Sequence, residues 1–448
     1  MHNRFFEDVL QNIDTLRENI ILDSSFHYFD WTGSGLGLRD IENKIQRILP
    51  YYSNTHSSED SIITNIYNKA RENLKERFRL DSSFALISCG FGATSAIKKF
   101  QELLGIYAPP KLIKRLAIDK NSIKNKPLVI VGPYEHHSNE VSFREGICDV
   151  VRIKLTDSGL VDLSHLESVL QENRGREIIA SFSLGSNVSG IVVPFFDISR
   201  LVRSYGGIVC FDMASTSAYF NIPCEIYDVA FISSHKLLGG IGGSGILIIK
   251  KELVDKSISP SFCGGGVVGY VSRSTQNYFS QEEIREEAGT PGILELIRAS
   301  LAYSLRDEIG LEYIAEKKNQ AHLEFLDFFD DKRVISYGNL EHNALSIFSF
   351  NIKNKNPYEI ASILYKDNGI LLRAGCACAG PYGHDLLGFR DNDTFSSKPG
   401  FLRVSLHYTH EIRDIQYLKD CLYKIIKNNQ GCFYGVKWLT NANARIKK

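Results

Sequence analysis

No stretch of the 448-residue chain approaches the roughly 18 apolar residues in a row that a membrane-spanning helix needs. The opening residues Met1-His2-Asn3-Arg4-Phe5-Phe6-Glu7-Asp8 lack the uninterrupted apolar core of a secretory leader, so a cytoplasmic protein is expected. Net charge is missing as well. The 52 Lys+Arg balance the 52 Asp+Glu, so no global field argues for nucleic acid or an anionic membrane, and a small molecule is the expected partner. There is no internal repeat and no low-complexity tract. Nor is there a disulfide framework. The nine cysteines, at 89, 148, 210, 224, 263, 376, 378, 421 and 432, are scattered, several inside apolar runs such as Ile208-Val209-Cys210-Phe211, and read as reduced thiols. Without a secretory context the sequons at Asn187 and Asn392 carry little meaning.

What is present is an ordinary globular composition, 43% hydrophobic and 23% charged, in a chain long enough for more than one domain. Residues 1–22 have helical spacing, and Phe26–Trp31 reads as a short strand running into a glycine turn. Helices follow over Ile41–Leu49 and Ile62–Phe78. From Phe84 onward strands and helices alternate, with strands over Phe84–Ser88, Leu128–Val131, Val150–Leu155, Ile178–Phe182, Ile208–Phe211, Val229–Ser233 and Gly245–Ile249. That alternation predicts an α/β domain with a large, mostly parallel sheet and a ligand site at the carboxyl ends of its strands, where Ser183, Asp212 and Lys236 fall. Past residue 293 long helices over Leu294–Leu311 and Tyr313–Phe329 precede short strands at Ala344–Phe350, Ile370–Arg373 and Phe401–His407. A loop-like insert over Gly380–Gly400 and a helix over Glu411–Asn428 complete a smaller α+β unit, with a basic tail from Val436. The expected division is 1–25 as an N-terminal helix belonging to the small domain, 26–293 as the large domain and 294–448 as the small one.

Several stretches bear on chemistry. Gly90-Phe91-Gly92-Ala93-Thr94-Ser95 follows a strand and opens a helix, where backbone N–H groups make a phosphate site; a glycine turn capped by Thr94 is the plainer reading. Gly240-Ile241-Gly242-Gly243-Ser244-Gly245 fits GxGxxG but precedes a strand, so it is not a dinucleotide fingerprint. Asp212 ends one strand and Lys236 follows the next, in Ser233-Ser234-His235-Lys236. Singly they read as a turn cap and a surface amine; together they suit a carboxylate that keeps a pyridinium ring protonated and a lysine that forms a Schiff base. His136 and His137, after the strand Leu128–Val131, are placed to stack on such a ring or lie in a surface loop. In Arg373-Ala374-Gly375-Cys376-Ala377-Cys378-Ala379-Gly380-Pro381, the paired thiols suggest a metal site, structural thiols, or a reactive thiolate favoured by nearby positive charge. Arg403, a cation inside a strand, requires an anion, either a structural partner or a substrate carboxylate.

Together these motifs, from about Phe26 to about Ile426, resemble the class V aminotransferase fold of pyridoxal-phosphate enzymes (fold type I), and within it the cysteine desulfurases. The resemblance implies pyridoxal 5'-phosphate as cofactor, held covalently by Lys236. Thr94, Ser233 and His235 would contact its phosphate, Asp212 its ring nitrogen, and His136 its ring face, with His136 counted among the catalytic residues. Asn187 would lie beside cofactor and substrate, and Thr290 would reach the neighbouring subunit's phosphate in a homodimer. Arg403 would hold the substrate carboxylate with Arg373 nearby, and Cys378 would carry a persulfide taken from L-cysteine and pass it to an acceptor protein. No metal is implied. Two positions depart from the desulfurase pattern. Ser215 stands where glutamine is usual, weakening the expected bond to the ring's phenolic oxygen, and Cys376-Ala377 replaces a His-His pair, so that the Cys-x-Cys loop is similar to that of molybdenum cofactor sulfurases. An aminotransferase, epimerase or β-lyase on the same fold, with Cys378 not a nucleophile, is the alternative.

Overall fold

A computed structural model of the chain describes Phe6, residues 13–58, 60–390, Asp393 and residues 398–427. Cys432, the sequon at Asn392, the tail from Val436 and most of the first twelve residues lie outside the described residues. Of the lead-in helix expected over 1–22, the described part is Ile13–Glu18, followed by a short strand Ile20–Ile21.

The centre is a seven-stranded sheet in the order Phe84–Gly90, Gly245–Lys250, Val229–Ser233, Ile208–Asp212, Ile178–Ser183, Leu128–Val131, Asp149–Arg152. Gly245–Lys250 runs antiparallel to both its neighbours, and every other pairing is parallel. The strands are continuous apolar runs because both faces are covered, as parallel sheets require. Side chains alternate, so Leu128 and Ile130 enter one buried cluster while Val129 and Val131 enter the other. Register then sets the site. Ser183 lies opposite Asp212, Asp212 opposite Phe231, and Gly245 sits between Ser233 and Gly90. Four strand ends with polar or glycine residues therefore line up at one edge of an otherwise apolar slab.

A second, antiparallel sheet has the order Val334–Tyr337, Ile347–Ile352, Phe401–Ser405, Arg373–Gly375 and packs against the helices Leu311–Leu326, Pro357–Asn368 and Ile412–Lys427. Two expectations change here. Ile370–Arg373 is not one strand: Ile370–Leu371 pairs with His27–Tyr28, whereas Arg373–Gly375 pairs with Phe401–Arg403. The stretch after Gly380 is not all loop, since Gly380–Leu387 is a helix, with Pro381 in its first turn where a missing N–H costs nothing. The boundaries 25/26 and 293/294 stay proposals. The pairing of His27–Tyr28 and the burial of Phe29 in the smaller unit's cluster carry the N-terminal segment past residue 25 into that unit.

Candidate active site

The aligned strand ends, the helix start at Gly92 and the smaller sheet enclose a cavity of about 210 Å³. Thr94, His136, Asn187, Asp212, Ser215, Ser233, His235, Lys236, Arg373 and Arg403 all line it; Cys378 and Thr290 do not.

One end is built to receive an anion. The helix Gly92–Leu103 has no side-chain cap, which leaves its first N–H groups to be satisfied from outside. Gly92 has φ +60, and a Cβ there would lie 3.0 Å from both the His235 ring and Ser233 Oγ, so only glycine lets the three approach. Ser233 Oγ accepts the Ala93 N–H at 2.8 Å, pinning strand end to helix start, and Thr94 Oγ1 lies 2.7 Å from Ser138 Oγ. Enclosure, with the nearby Lys236 adding to it, pushes His235 down to about 4, so its ring is neutral.

At the other end Asp212 is buried and accepts the Ala214 N–H at 2.9 Å. Burial raises its pKa, opposed by that bond and by Lys236. Lys236 opens onto the cavity yet is surrounded by protein, and this enclosure pushes the amine from its ordinary 10.5 down to about 8. Asp212 pulls it up while Arg403 pulls it down. His136 caps the helix His137–Arg144, its Nδ1 accepting the Ser138 N–H at 3.1 Å, which fixes the ring. Burial and Lys236 hold it neutral, down to about 3. Ser215 donates its hydroxyl proton to Gly185 O and so offers the cavity a lone pair only.

Lys236 sets a test of stability. The folded amine titrates near 8 and the unfolded one near 10.5, so between those values the unfolded chain binds more protons and stability rises with pH. The burial penalty is full below pH 8. We expect ligand-free Lys236→Met to melt above the wild type at pH 7, with the gap closing toward pH 10.5. Asp212, left without its cation, offsets part of that gain. Paired thermal melts at several pH values measure this; a gap that widens with pH refutes it.

The smaller sheet supplies the arginines. Arg403 is 1% exposed; Nη1 donates to Asn187 O at 3.0 Å, Nη2 to Asp30, and Nε has no partner among the described residues. Arg373 Nη2 donates to Cys378 Sγ at 2.9 Å. Cys378 thus sits one guanidinium away from the cavity instead of in its wall. Cys376 turns elsewhere, its Sγ 3.6 Å from Pro399 O, and burial raises its thiol. Thr290 is exposed and accepts from Asn54 Nδ2 at 2.8 Å. No disulfide joins the eight described cysteines, and no His/Cys/Asp/Glu group among the described residues could hold a metal.

Sequence reasoning missed two carboxylates. Glu135 is fully buried, accepting from Gly132 N, Ser183 N and Oγ and Asn139 Nδ2, and ties the His136 loop to the strand end at Ser183. Burial pushes it up to about 8. An acid just before a His-His pair after a strand was its only signal. Asp30, the partner of Arg403, had none, because it is 373 residues away in sequence.

The sequence pattern of the aminotransferase class-V family matches residues 27–418, and the chain belongs to that family. A probable cysteine desulfurase of Pyrococcus abyssi is 24% identical over 93% of this chain and 98% of its own. The apo cysteine desulfurase of Thermococcus onnurineus superposes with a TM-score of 0.77 at 22% identity, over 92% of this chain and 98% of that one. The Escherichia coli cysteine desulfurase CsdA, in its S-sulfonic acid form, gives 0.74 at 22% identity, over 92% and 98%. The fold is that of the class V aminotransferases, and these three relatives are described as cysteine desulfurases, the first as a probable one. Among the described residues no helix is long and apolar enough to cross a membrane.

Proposed function

We propose that the chain binds pyridoxal 5'-phosphate in this cavity and uses it to convert L-cysteine to L-alanine, taking the sulfur onto Cys378. The residues present fit the cofactor. The uncapped helix start, Thr94, Ser233 and His235 would hold the phosphate, Asp212 the ring nitrogen, and Lys236 Nζ the carbonyl carbon. When bound, the group supplies the electron sink that lets an amino acid lose its α-proton and β-substituent.

The chain's own part follows from geometry. Asp212 presents a buried carboxyl where a ring nitrogen needs an anion, burial raising its pKa and Lys236 opposing that rise. Lys236, titrating near 8, exchanges protons readily at neutral pH and serves as general base at the α-carbon. Neutral His136, fixed by its capping bond, offers a flat face without competing for protons. Arg403 receives the substrate carboxylate through its unpartnered Nε, sharing the guanidinium with Asp30. The observation that carries the choice of reaction is the bond from Arg373, a cavity residue, to Cys378 Sγ. The experiment is a panel of amino acids with alanine and sulfide assayed. Alanine from L-cysteine alone supports the reading, and turnover of another amino acid with none from cysteine rejects it. An aminotransferase, epimerase or β-lyase is the second reading, favoured by the position of Cys378 outside the cavity wall.

Arg403→Ala is expected to raise KM for L-cysteine by about 30-fold or more, the scale of truncating one partner of a buried charge pair, with a smaller change in kcat. Initial-rate kinetics decide; an unchanged KM removes the carboxylate from Arg403.

We further propose a cytoplasmic homodimer and a protein acceptor for the sulfur. Phe91, Phe262 and Tyr270 are 92%, 68% and 60% exposed, and Thr290 is exposed and does not line its own chain's cavity, which suits a face covered by a second copy. Sedimentation tests this, with a monomer at micromolar concentration as the contrary result.

A further inference from the structure

The loop that bears Cys378 is held in an unfavourable backbone shape. Ala377 has φ +50 and Cys378 φ +59, two consecutive non-glycine residues in the left-handed region, which a free chain avoids. Something outside the loop has to hold it. Asn187 Nδ2 donates to Ala377 O at 2.6 Å, and the His137 backbone N–H donates to Cys378 O at 2.8 Å. The His137 ring then reaches over the sulfur-bearing residue, its Nε2 accepting the Gly380 N–H at 2.8 Å. His137 thus holds the loop at two points that follow the thiol, the Cys378 carbonyl and the Gly380 amide, while Asn187 holds the residue before it. The fit is close: a Cβ at Gly380 would lie 2.9 Å from His137 Nε2.

We propose that His137 is a positioning residue for Cys378, a latch that holds the nucleophile loop closed while its ring is neutral and lets it open when the ring is protonated. This rests on the reading of Cys378 as the nucleophile. The chemistry is direct. A neutral imidazole protonated at Nδ1 presents a lone pair at Nε2, whereas the imidazolium presents N–H at both positions and meets the Gly380 N–H donor to donor. His137 is solvent-accessible at one edge, so a proton can arrive without unfolding the site.

The groups facing the ring are mixed. Glu140 and Arg144, on its own helix, pair with each other; His136 precedes it; Arg373 and Cys378 approach from the smaller sheet and its loop; and on the helix after the loop Asp385 is taken by Arg152. Burial, followed by Arg144 and Arg373, outweighs Glu140 and lowers the pKa of His137. The latch therefore stays closed at neutral pH and opens on acidification below the ordinary histidine range. An open loop would carry a loaded sulfur away from the cavity toward an acceptor.

The test reads the loop by the rate at which iodoacetamide alkylates Cys378, followed by peptide mass spectrometry on the full-length protein as purified. His137→Ala should speed alkylation about three- to tenfold, the scale of one net hydrogen bond. His137→Gln, which keeps an acceptor but cannot titrate, should match the wild type at neutral pH. On acidification the wild type should rise relative to H137Q at each pH, a ratio in which the thiolate fraction cancels. Gly380→Ala should reproduce H137A, and the double variant should add nothing to either. Unchanged alkylation in H137A, a wild-type to H137Q ratio that is flat with pH, or additive effects in the double variant would each overturn the latch. Alkylation needs no turnover of L-cysteine, so failure of the latch and failure of the desulfurase reading leave separate signatures.

Discussion

Lys236→Ala is expected to lower alanine formation from L-cysteine by on the order of 10³-fold or more. Two losses combine. The first would be the covalent hold on the proposed cofactor, the second the amine proposed to move the α-proton, and general acid–base catalysis alone is worth roughly 10²- to 10⁴-fold. The second loss depends on where the protein keeps the proton. An exposed lysine, titrating near 10.4, would be almost wholly protonated at neutral pH and a poor base. Enclosure brings this one to about 8, so a useful fraction is free. Lys236→Arg supplies the control, because it keeps the charge beside Asp212 yet cannot give up a proton. Both variants should fold, and both should fail. The visible absorbance of the bound cofactor, steady-state alanine release and a thermal melt together separate a dead site from a lost fold. A Lys236→Ala protein within tenfold of the wild type would remove Lys236 from the chemistry.

The large sheet was legible because its strands are buried on both faces. Leu128–Val131 is apolar at every position and Val229–Ser233 at every position before Ser233, and the ends of both match the structure residue for residue. The candidate site was legible for a related reason: a polar or glycine residue stops each apolar run, and register brings Gly90, Ser233, Asp212 and Ser183 to one edge. Legibility failed where long-range pairing decides. Ile370–Arg373 reads as one strand, but its halves find partners at opposite ends of the chain, His27–Tyr28 and Phe401–Arg403. The glycines and Pro381 after Cys378 suggested loop, yet burial of Tyr382 and Leu387 gives a short helix reason to form. Asp30 escaped for the same cause, and His137, read as a ring-stacking or surface-loop residue, was not tied to the Cys378 loop. Arg403 announces that it needs an anion, and Cys378 that its loop needs support, but no spacing says which distant residue provides either.

Cys378 separates the candidate reactions, and Cys378→Ala is expected to cut alanine formation from L-cysteine by about 10³-fold or more, the scale seen when a nucleophile is removed. The cofactor's absorbance should be unchanged, since Cys378 does not line the cavity that would hold it. In the proposed step the Cys378 sulfur, held by Arg373 at 2.9 Å, attacks the substrate sulfur. A sulfur–sulfur bond forms, the substrate's carbon–sulfur bond breaks, and its electron pair stays with the carbon skeleton that becomes alanine. No other group within the described loop is placed to substitute. Cys376 is two residues away, but its thiol is directed at Pro399 O and burial holds its proton more tightly. Cys376→Ala should accordingly stay within a few-fold of the wild type, and mass spectrometry after a single turnover should find the extra sulfur on Cys378. Loss of activity in Cys376→Ala but not in Cys378→Ala would exchange the roles of the two thiols. Turnover of L-cysteine that survives both substitutions would make the protein a class V enzyme of another reaction, with Cys378 a structural thiol on a loop that His137 happens to hold.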